Sequence, residues 1–318
     1  MKKLYLVVPC YNEEEVLMET SKRLQNKVFE LIEKSKITKD SKILFVDDGS
    51  KDRTWELISF LHKKDTIFSG LKLSHNKGHQ NALLAGLTKA AVYADIAISL
   101  DADLQDDINA IDAMIEKYYE GNDIVYGVRS SREKDTFFKK FTAETYYKML
   151  KHLGADIIYN HADYRLMSNR ALKGLLQFKE VNLFLRGIVP MIGYQNDIVT
   201  YERQERFAGK SKYPLKKMIS FAFEGVTSMS IKPVRLIFNF GMGICGIGII
   251  ALLYFLIQYL SGRTVSGWTS LIMSIWVLGG MQLIAIGVIG EYIGKVYLET
   301  KERPKFIIES TLLNEEMK

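Results

Sequence analysis

The sequence predicts an α/β fold, a mostly parallel sheet flanked by helices, followed by two transmembrane helices. Three observations carry this expectation. Short β-branched runs alternate with helical patterns through the N-terminal part of the chain, the signature of parallel strands joined by crossover helices. From Leu236 to Leu260, and again from Thr264 to Gly290, no Asp, Glu, Lys or Arg occurs. Each run exceeds the ~20 residues that span a hydrocarbon core as helix. The chain has 318 residues, 47% hydrophobic and 25% charged, with 5 Pro and 23 Gly; this excludes a mini-protein and a disordered or collagenous chain.

In chain order, Leu4 to Pro9, Lys42 to Asp47, Gly70 to Ser74, Ile96 to Asp101 and Ile124 to Val128 read as strands. Helices fall between them, at Glu13 to Glu33, Thr54 to Lys63, His79 to Ala91 and Ile108 to Tyr119. The apolar start after Met1-Lys2-Lys3 is too short for a signal peptide and runs into Asn12-Glu13-Glu14-Glu15, so it reads as a strand. An amphipathic helix is expected from Lys134 to Leu153, then shorter elements to Tyr201 and a basic polar stretch from Glu202 to Tyr213. The resulting division is a cytoplasmic catalytic domain over 1–213, an interfacial amphipathic helix over 214–233, two spans at about 236–260 and 269–291 within 234–298, and a cytoplasmic tail over 299–318. A buried hairpin inside a soluble protein is the bland alternative, weakened by two such runs in tandem with tyrosines and tryptophans near their ends.

Charge placement orients the spans. The net charge of +6, from 43 basic and 37 acidic residues, is too mild to imply nucleic acid. Lys210, Lys212, Lys216, Lys217, Lys232 and Arg235 precede the first span, and Lys295, Lys301, Arg303 and Lys305 follow the second, whereas the connecting loop carries Arg263 alone. By the positive-inside rule both flanks are cytoplasmic. Cys10 and Cys245 lie in different regions and predict no disulfide framework. In the tail, Lys305 to Ile308 reads as an exposed apolar strand, which invites pairing between chains and predicts a homo-oligomer, with a tetramer among the options.

Three of the strands end in polar clusters: Pro9-Cys10-Tyr11-Asn12-Glu13, Asp47-Asp48-Gly49-Ser50 and Asp101-Ala102-Asp103-Leu104-Gln105-Asp106-Asp107. One such cluster is an ordinary turn or cap. Three at the edge where open parallel sheets bind ligands argue for a site. Residues i and i+2 of a strand share a face, so Asp101 and Asp103 can converge as the strand ends. Hard oxygen donors of this kind suit Mg²⁺ or Mn²⁺ bridging to substrate phosphates. Helix-start acidity explains Asp106 and Asp107 but not Asp101, which closes an apolar run.

These clusters, in this order, resemble the family 2 glycosyltransferases with the GT-A nucleotide-sugar fold. The resemblance implies that Pro9, Tyr11, Glu13, Asp47, Asp48, Lys77 and Asp101 bind a nucleotide, and that Asp101, Asp103 and Gln105 hold the metal. Further segments are similar to the polyprenyl-phosphate glycosyltransferases, relatives of dolichol-phosphate mannose synthase and especially of the bacterial bactoprenol glucosyltransferases. They are Ser74-His75-Asn76-Lys77-Gly78-His79-Gln80-Asn81-Ala82, Asp163-Tyr164-Arg165-Leu166, Arg203 to Tyr213 and the ending Gly290-Glu291-Tyr292-Ile293-Gly294-Lys295. This implies an inverting transfer of one hexose, glucose from UDP-glucose being favoured over galactose, an N-acetylated hexosamine or mannose, onto polyprenyl phosphate at the membrane. Asp163 and Arg165 are then the implied catalytic pair. Where that family often carries a Glu beside its lid, this chain has Lys210.

The residues agree with a phosphate acceptor. Arginine forks suit phosphate, and Arg129, Arg132, Arg203 and Arg206 supply them, with Ser211 and Lys212 in a Gly-containing loop readable as a lid. A solvated basic loop attracted to headgroups is the alternative for Arg203 and Arg206. A phosphate monoester with a second pKa near ~6 is already mostly ionised at neutral pH, so Asp163 is expected to orient an arginine or a sugar hydroxyl rather than to act as base. Gly241-Met242-Gly243-Ile244-Cys245-Gly246 matches a dinucleotide fingerprint but lies inside a span, where it reads as helix packing. His75, His79 and His161 lack metal-ligand spacing and read as loop or packing residues. Two rivals stand beside this reading. A processive polysaccharide synthase needs Gln-x-x-Arg-Trp, and none of the 3 Trp follows an Arg; an idle nucleotide-sugar-binding scaffold would have no use for intact Asp101 and Asp103.

Overall fold

The computed structural model describes residues 1–130, 161–180, 183–203, 232–261 and 267–313. The expected helix at Lys134 to Leu153, residues 214–231 of the expected interfacial helix, and the sites at Arg132, Arg206, Ser211 and Lys212 lie outside the described residues.

Strands β1 (Leu4–Cys10), β2 (Lys42–Asp47), β3 (Phe68–Leu73), β4 (Ile96–Ser99) and β5 (Ile124–Arg129) alternate with helices α1 (Leu17–Glu33), α2 (Thr54–Lys64), α3 (His79–Tyr93) and α4 (Ala110–Tyr119), as the sequence pattern predicts. Then come β6 (His161–Ser168), α5 (Asn169–Leu175), α6 (Leu185–Met191), β7 (Asn196–Tyr201), the long helices α7 (Lys232–Leu260) and α8 (Trp268–Thr300), and β8 (Ile308–Leu312). The eight strands form one sheet in the order β7-β5-β6-β4-β1-β2-β3-β8. Strand β1 runs parallel to β2 and β4, β2 to β3, and β5 to β7; β6 is antiparallel to β4 and β5, and β8 to β3. The sheet is therefore mixed, with a parallel majority.

Period-two alternation sorts its side chains into two cores. On one face Leu4, Leu6 and Val8 of β1 pack with Leu24 and Val28 of α1, Ile58 of α2 and Ile111 of α4. On the other, Tyr5 and Val7 pack with Leu83 and Leu87 of α3, Leu172 of α5 and Ile188 of α6. Helix α3 lies so close to the sheet that a Cβ on Gly86 would meet the Val7 side chain and stand 2.8 Å from Val46 Cγ2.

The tail corrects the expectation in two ways. Its strand begins at Ile308, three residues beyond the predicted start, and it pairs with β3 of its own chain: Leu71 faces Thr311, and Lys72 Nζ meets Glu309 Oε1 at 2.9 Å. Phe306, Ile308 and Leu313 add to the α3-side core. The segment is thus the edge of the eight-stranded sheet rather than a separate tail, and pairing within the chain removes the ground on which a homo-oligomer was expected. Helices α7 and α8 carry apolar side chains outward, Leu283 being 72% exposed. Among the described residues one segment, Val277–Thr300, is long and apolar enough to cross a membrane; it lies further along than the span expected near 269–291.

Candidate active site

The carboxyl ends of β1, β2, β4, β5 and β7 and the start of β6 share one sheet edge, because β6 runs against the others. Every described candidate residue sits along it. At β1 and β2 the two loops are laced together. The Asn12 amide donates to Ser50 Oγ (2.9 Å), Lys51 N–H donates to Asn12 Oδ1 (2.8 Å), and Glu13 N–H donates to Thr54 Oγ1 (3.0 Å). Asn12 takes φ 53°, a left-handed conformation that Asn tolerates. Pro9 is buried, while Tyr11 and Glu13 are half-buried at the rim.

Asp47 and Asp48 are buried, and burial raises the pKa of both. Asp47 Oδ1 accepts from Ser50 N–H at 3.1 Å, whereas its Oδ2 is buried with no hydrogen-bond partner among the described residues. Asp48 accepts the amides of Lys77 (2.7 Å) and Gly78 (2.9 Å), so its carboxylate ties down the loop from Ser74 to Gly78. Gly49 lies beneath this loop at φ 66°, and a Cβ there would stand 2.7 Å from Asn76 N. Gly49→Ala is therefore expected to displace the loop and lower the thermal midpoint by several degrees, since a left-handed alanine costs ~1–2 kcal/mol before the clash is counted; a melting curve checks this.

Strand β4 ends at Ser99, two residues before Asp101, so the acidic pair sits in a turn and not on the pleat assumed from the sequence. Asp103 Oδ1 accepts from Gln105 N–H at 3.2 Å and Leu104 takes φ 59°. Desolvation pushes the Asp101 pKa up to about 6; His79 opposes the shift, and Asp106, Asp163 and Asp103 add to it. A carboxylate crowded by carboxylates is a place where a cation is welcome. Among the described residues no group of three or more His, Cys, Asp or Glu side chains could hold a metal. Two carboxylates nevertheless fit Mg²⁺ or Mn²⁺ that takes its remaining ligands from phosphates and water.

Guanidinium groups line the same turn. Arg129, at the end of β5, reaches Asp106 Oδ1 at 3.4 Å, and the Tyr201 hydroxyl donates to the same oxygen. Arg203, just past β7, donates to Gln105 Oε1, so in this arrangement that amide serves an arginine. Partial burial first, and then repulsion from Arg129, lower the Arg203 pKa; two like charges near one another favour an anion between them.

Toward β6, Asp163 is gripped from several sides. Arg165 Nη2 meets its Oδ1 at 2.6 Å, Arg186 Nη2 meets its Oδ2 at 3.1 Å, and His79 Nε2 stands 3.7 Å from Oδ2 and 3.6 Å from Asp101 Oδ1. Desolvation works to raise the Asp163 pKa, but Arg186, Arg165 and His79 outweigh it and hold the carboxyl well below the usual carboxylate range. Arg165 is 1% exposed, its Nη1 donating to Leu185 O at 3.4 Å. The sequence reading missed the part played by His79, taken for a loop or packing residue, and Arg186, which opens α6 without any motif. Their signal is spatial: α3 and α6 start where β4 and β6 meet.

A family model described as "Glycosyl transferase family 2" matches residues 5–176. The chain is similar to "Uncharacterized glycosyltransferase YkoT" of Bacillus subtilis (strain 168), 56% identical over 99% of this chain and 93% of that protein. It is also similar to "Bactoprenol glucosyl transferase" of Shigella phage SfV, 40% identical over 97% of this chain and 98% of that one. Among solved structures, glucosyl-3-phosphoglycerate synthase from Mycobacterium tuberculosis aligns with a TM-score of 0.46 and 15% identity, over 72% of this chain and 79% of that chain. With a family match across more than half its length and relatives covered almost end to end, this chain, a helix-flanked mixed α/β sheet of the GT-A kind, belongs to glycosyl transferase family 2.

Proposed function

We propose that this glycosyltransferase moves one hexose, glucose from UDP-glucose, onto polyprenyl phosphate at the cytoplasmic face of a membrane, with inversion. The observation that carries the reading is the juxtaposition, along one sheet edge, of the acidic turn Asp101–Asp103 with Arg129 and Arg203. One half suits a cation on a diphosphate, and the other suits a phosphate. Names of relatives at 40% identity, which specify bactoprenol and glucose, support both acceptor and sugar.

In this reading the nucleotide lies over the β1 and β2 loops, walled by Pro9, Tyr11 and Glu13 and floored by the Asp48-held loop with Lys77. Asp101 and Asp103 would hold Mg²⁺ or Mn²⁺, which supplies positive charge for the departing diphosphate. A phosphate oxygen of the acceptor attacks the anomeric carbon, the bond to the diphosphate breaks, and UDP leaves with the electron pair. The attacking oxygen is ionised above a pKa near ~6 and needs no base. Arg129 and Arg203 hold that phosphate, and the same role is proposed for Arg132, Arg206, Ser211 and Lys212, which lie outside the described residues.

The membrane assignment has a topological support. Because β8 pairs with β3, the strand after α8 lies on the same side of any bilayer as β3, so the crossings between β3 and β8 are even in number. Two spans, with the basic flanks cytoplasmic, satisfy that parity and the positive-inside rule together. Incubating the membrane-embedded protein with labelled nucleotide sugars and polyprenyl phosphate tests the reading. Label from UDP-glucose is expected to partition into organic solvent; label from another donor corrects the sugar, and none at all leaves the idle-scaffold alternative standing.

A further inference from the structure

Arg186 belongs to none of the sequence motifs, yet it stands in the site. It opens α6, its Nε and Nη2 edge faces Asp163 at 3.4 and 3.1 Å, and its side chain is 31% exposed. The other arginine on Asp163 differs in kind. Arg165 is 1% exposed and turned inward to the Leu185 carbonyl, so it can anchor the carboxylate but cannot meet a ligand. Asp163 therefore couples a buried guanidinium to an accessible one.

We infer that Arg186 binds the phosphate of the lipid acceptor, and that Asp163, locked by Arg165, is the positioning residue that aims it. A guanidinium presents five N–H donors in a rigid fork, and engagement of one edge by a carboxylate fixes the direction in which the rest point. The choice of acceptor over donor follows from position and rests on the proposed transfer. Displacement with inversion places nucleophile and leaving group on opposite sides of the anomeric carbon. The nucleotide loops belong to β1 and β2, and Asp101 follows β4. Asp163 lies on β6, beyond β4 from β1 in the strand order. Arg186 is thus on the nucleophile's side, and an oxygen drawn there approaches from opposite the diphosphate. A second acidic charge beside a dianion would repel it, but here two arginines and the His79 imidazole surround the carboxylate.

The test uses the full-length enzyme in detergent with polyprenyl phosphate and UDP-glucose. Arg186→Ala is expected to raise the acceptor KM by about tenfold or more, and Arg186→Lys by less, because a charge-assisted fork is lost or reduced to a point charge. The Kd of UDP-glucose with Mg²⁺, measured by calorimetry without acceptor, should stay within about twofold, and it also reports that each variant is folded. Asp163→Asn should raise acceptor KM in the same direction while retaining the fall in kcat/KM below pH ~6 that comes from protonation of the acceptor phosphate. An unchanged acceptor KM in Arg186→Ala, or a donor Kd that rises in its place, overturns the assignment. So does loss of the acidic limb in Asp163→Asn, which would make Asp163 the base. Absence of transfer by the wild-type enzyme in the same assay would instead refute the acceptor class itself, and this inference with it.

Discussion

Asp103→Asn is expected to lower turnover by about a thousandfold or more while the fold is kept, because in the proposed transfer Asp103 would help hold the cation that offsets charge on the diphosphate. The structure says why the fold should survive. Asp103 is only half-buried, and the contact its carboxylate makes to the Gln105 amide is one that an Asn side-chain oxygen can replace. Relief of charge around Asp101 would, if anything, favour the folded state, since Asp103 is among the carboxylates that raise its pKa. Two measurements separate the outcomes: rate of label transfer against added Mn²⁺, and Mn²⁺ binding by paramagnetic resonance with and without UDP. Loss of both supports the pair as metal ligands. Wild-type activity that persists in excess chelator would contradict it.

The second large effect is on stability. Gly86→Val places a branched side chain where the Cβ alone would overlap Val7 and crowd Val46, at the middle of the α3 contact with β1 and β2. Both neighbours are fully buried core residues of parallel strands, paired on either side, and have nowhere to retreat. Helix α3 must lift or the strands must part, and overpacking of this severity costs about 3 kcal/mol or more. The thermal midpoint of the solubilised protein should fall by several degrees. Since α3 begins at His79, which stands beside Asp101 and Asp163, the site should loosen as well. An unchanged midpoint would mean that the helix does not seat on the sheet as closely as described.

The first five strands and four helices were legible because each has the periodicity of its kind: Leu4, Leu6 and Val8 against Tyr5 and Val7, for instance, separate onto two faces. Strand β6 was not. Its sequence places Asp163 and Arg165 two apart on a strand, which reads as polar, and only their ion pair makes them internal. The tail strand was anticipated, but its partner was not: β3 lies more than two hundred residues earlier in the chain, and pairing over that distance leaves no local trace. The site divides in the same way. Asp101 and Asp103 announce themselves by spacing, although the turn that holds them replaces the imagined pleat. Arg186 and His79 became visible through a shared neighbour, Asp163, which lies 23 residues from the first and 84 from the second; no motif of fixed spacing registers such a meeting.

Strand β8 also imposes an order of events on biogenesis. It follows both long helices in the chain, so while they are being synthesised the outer edge of β3, with its row of amides and carbonyls, has no strand to cover it. An uncovered parallel edge is a template for wrong partners. The edge closes when the segment after α8 returns to the head, and that return waits on the synthesis of both long helices. Phe306, Ile308 and Leu313 then complete the core beneath α3, and the Ser74 amide donates to the Ile307 carbonyl at 3.0 Å, at the start of the loop that Asp48 holds. Completion of the loop that Asp48 holds is thereby placed after synthesis of α7 and α8: a nascent chain stalled before β8 would present an exposed sheet edge and a loop without its Ile307 contact.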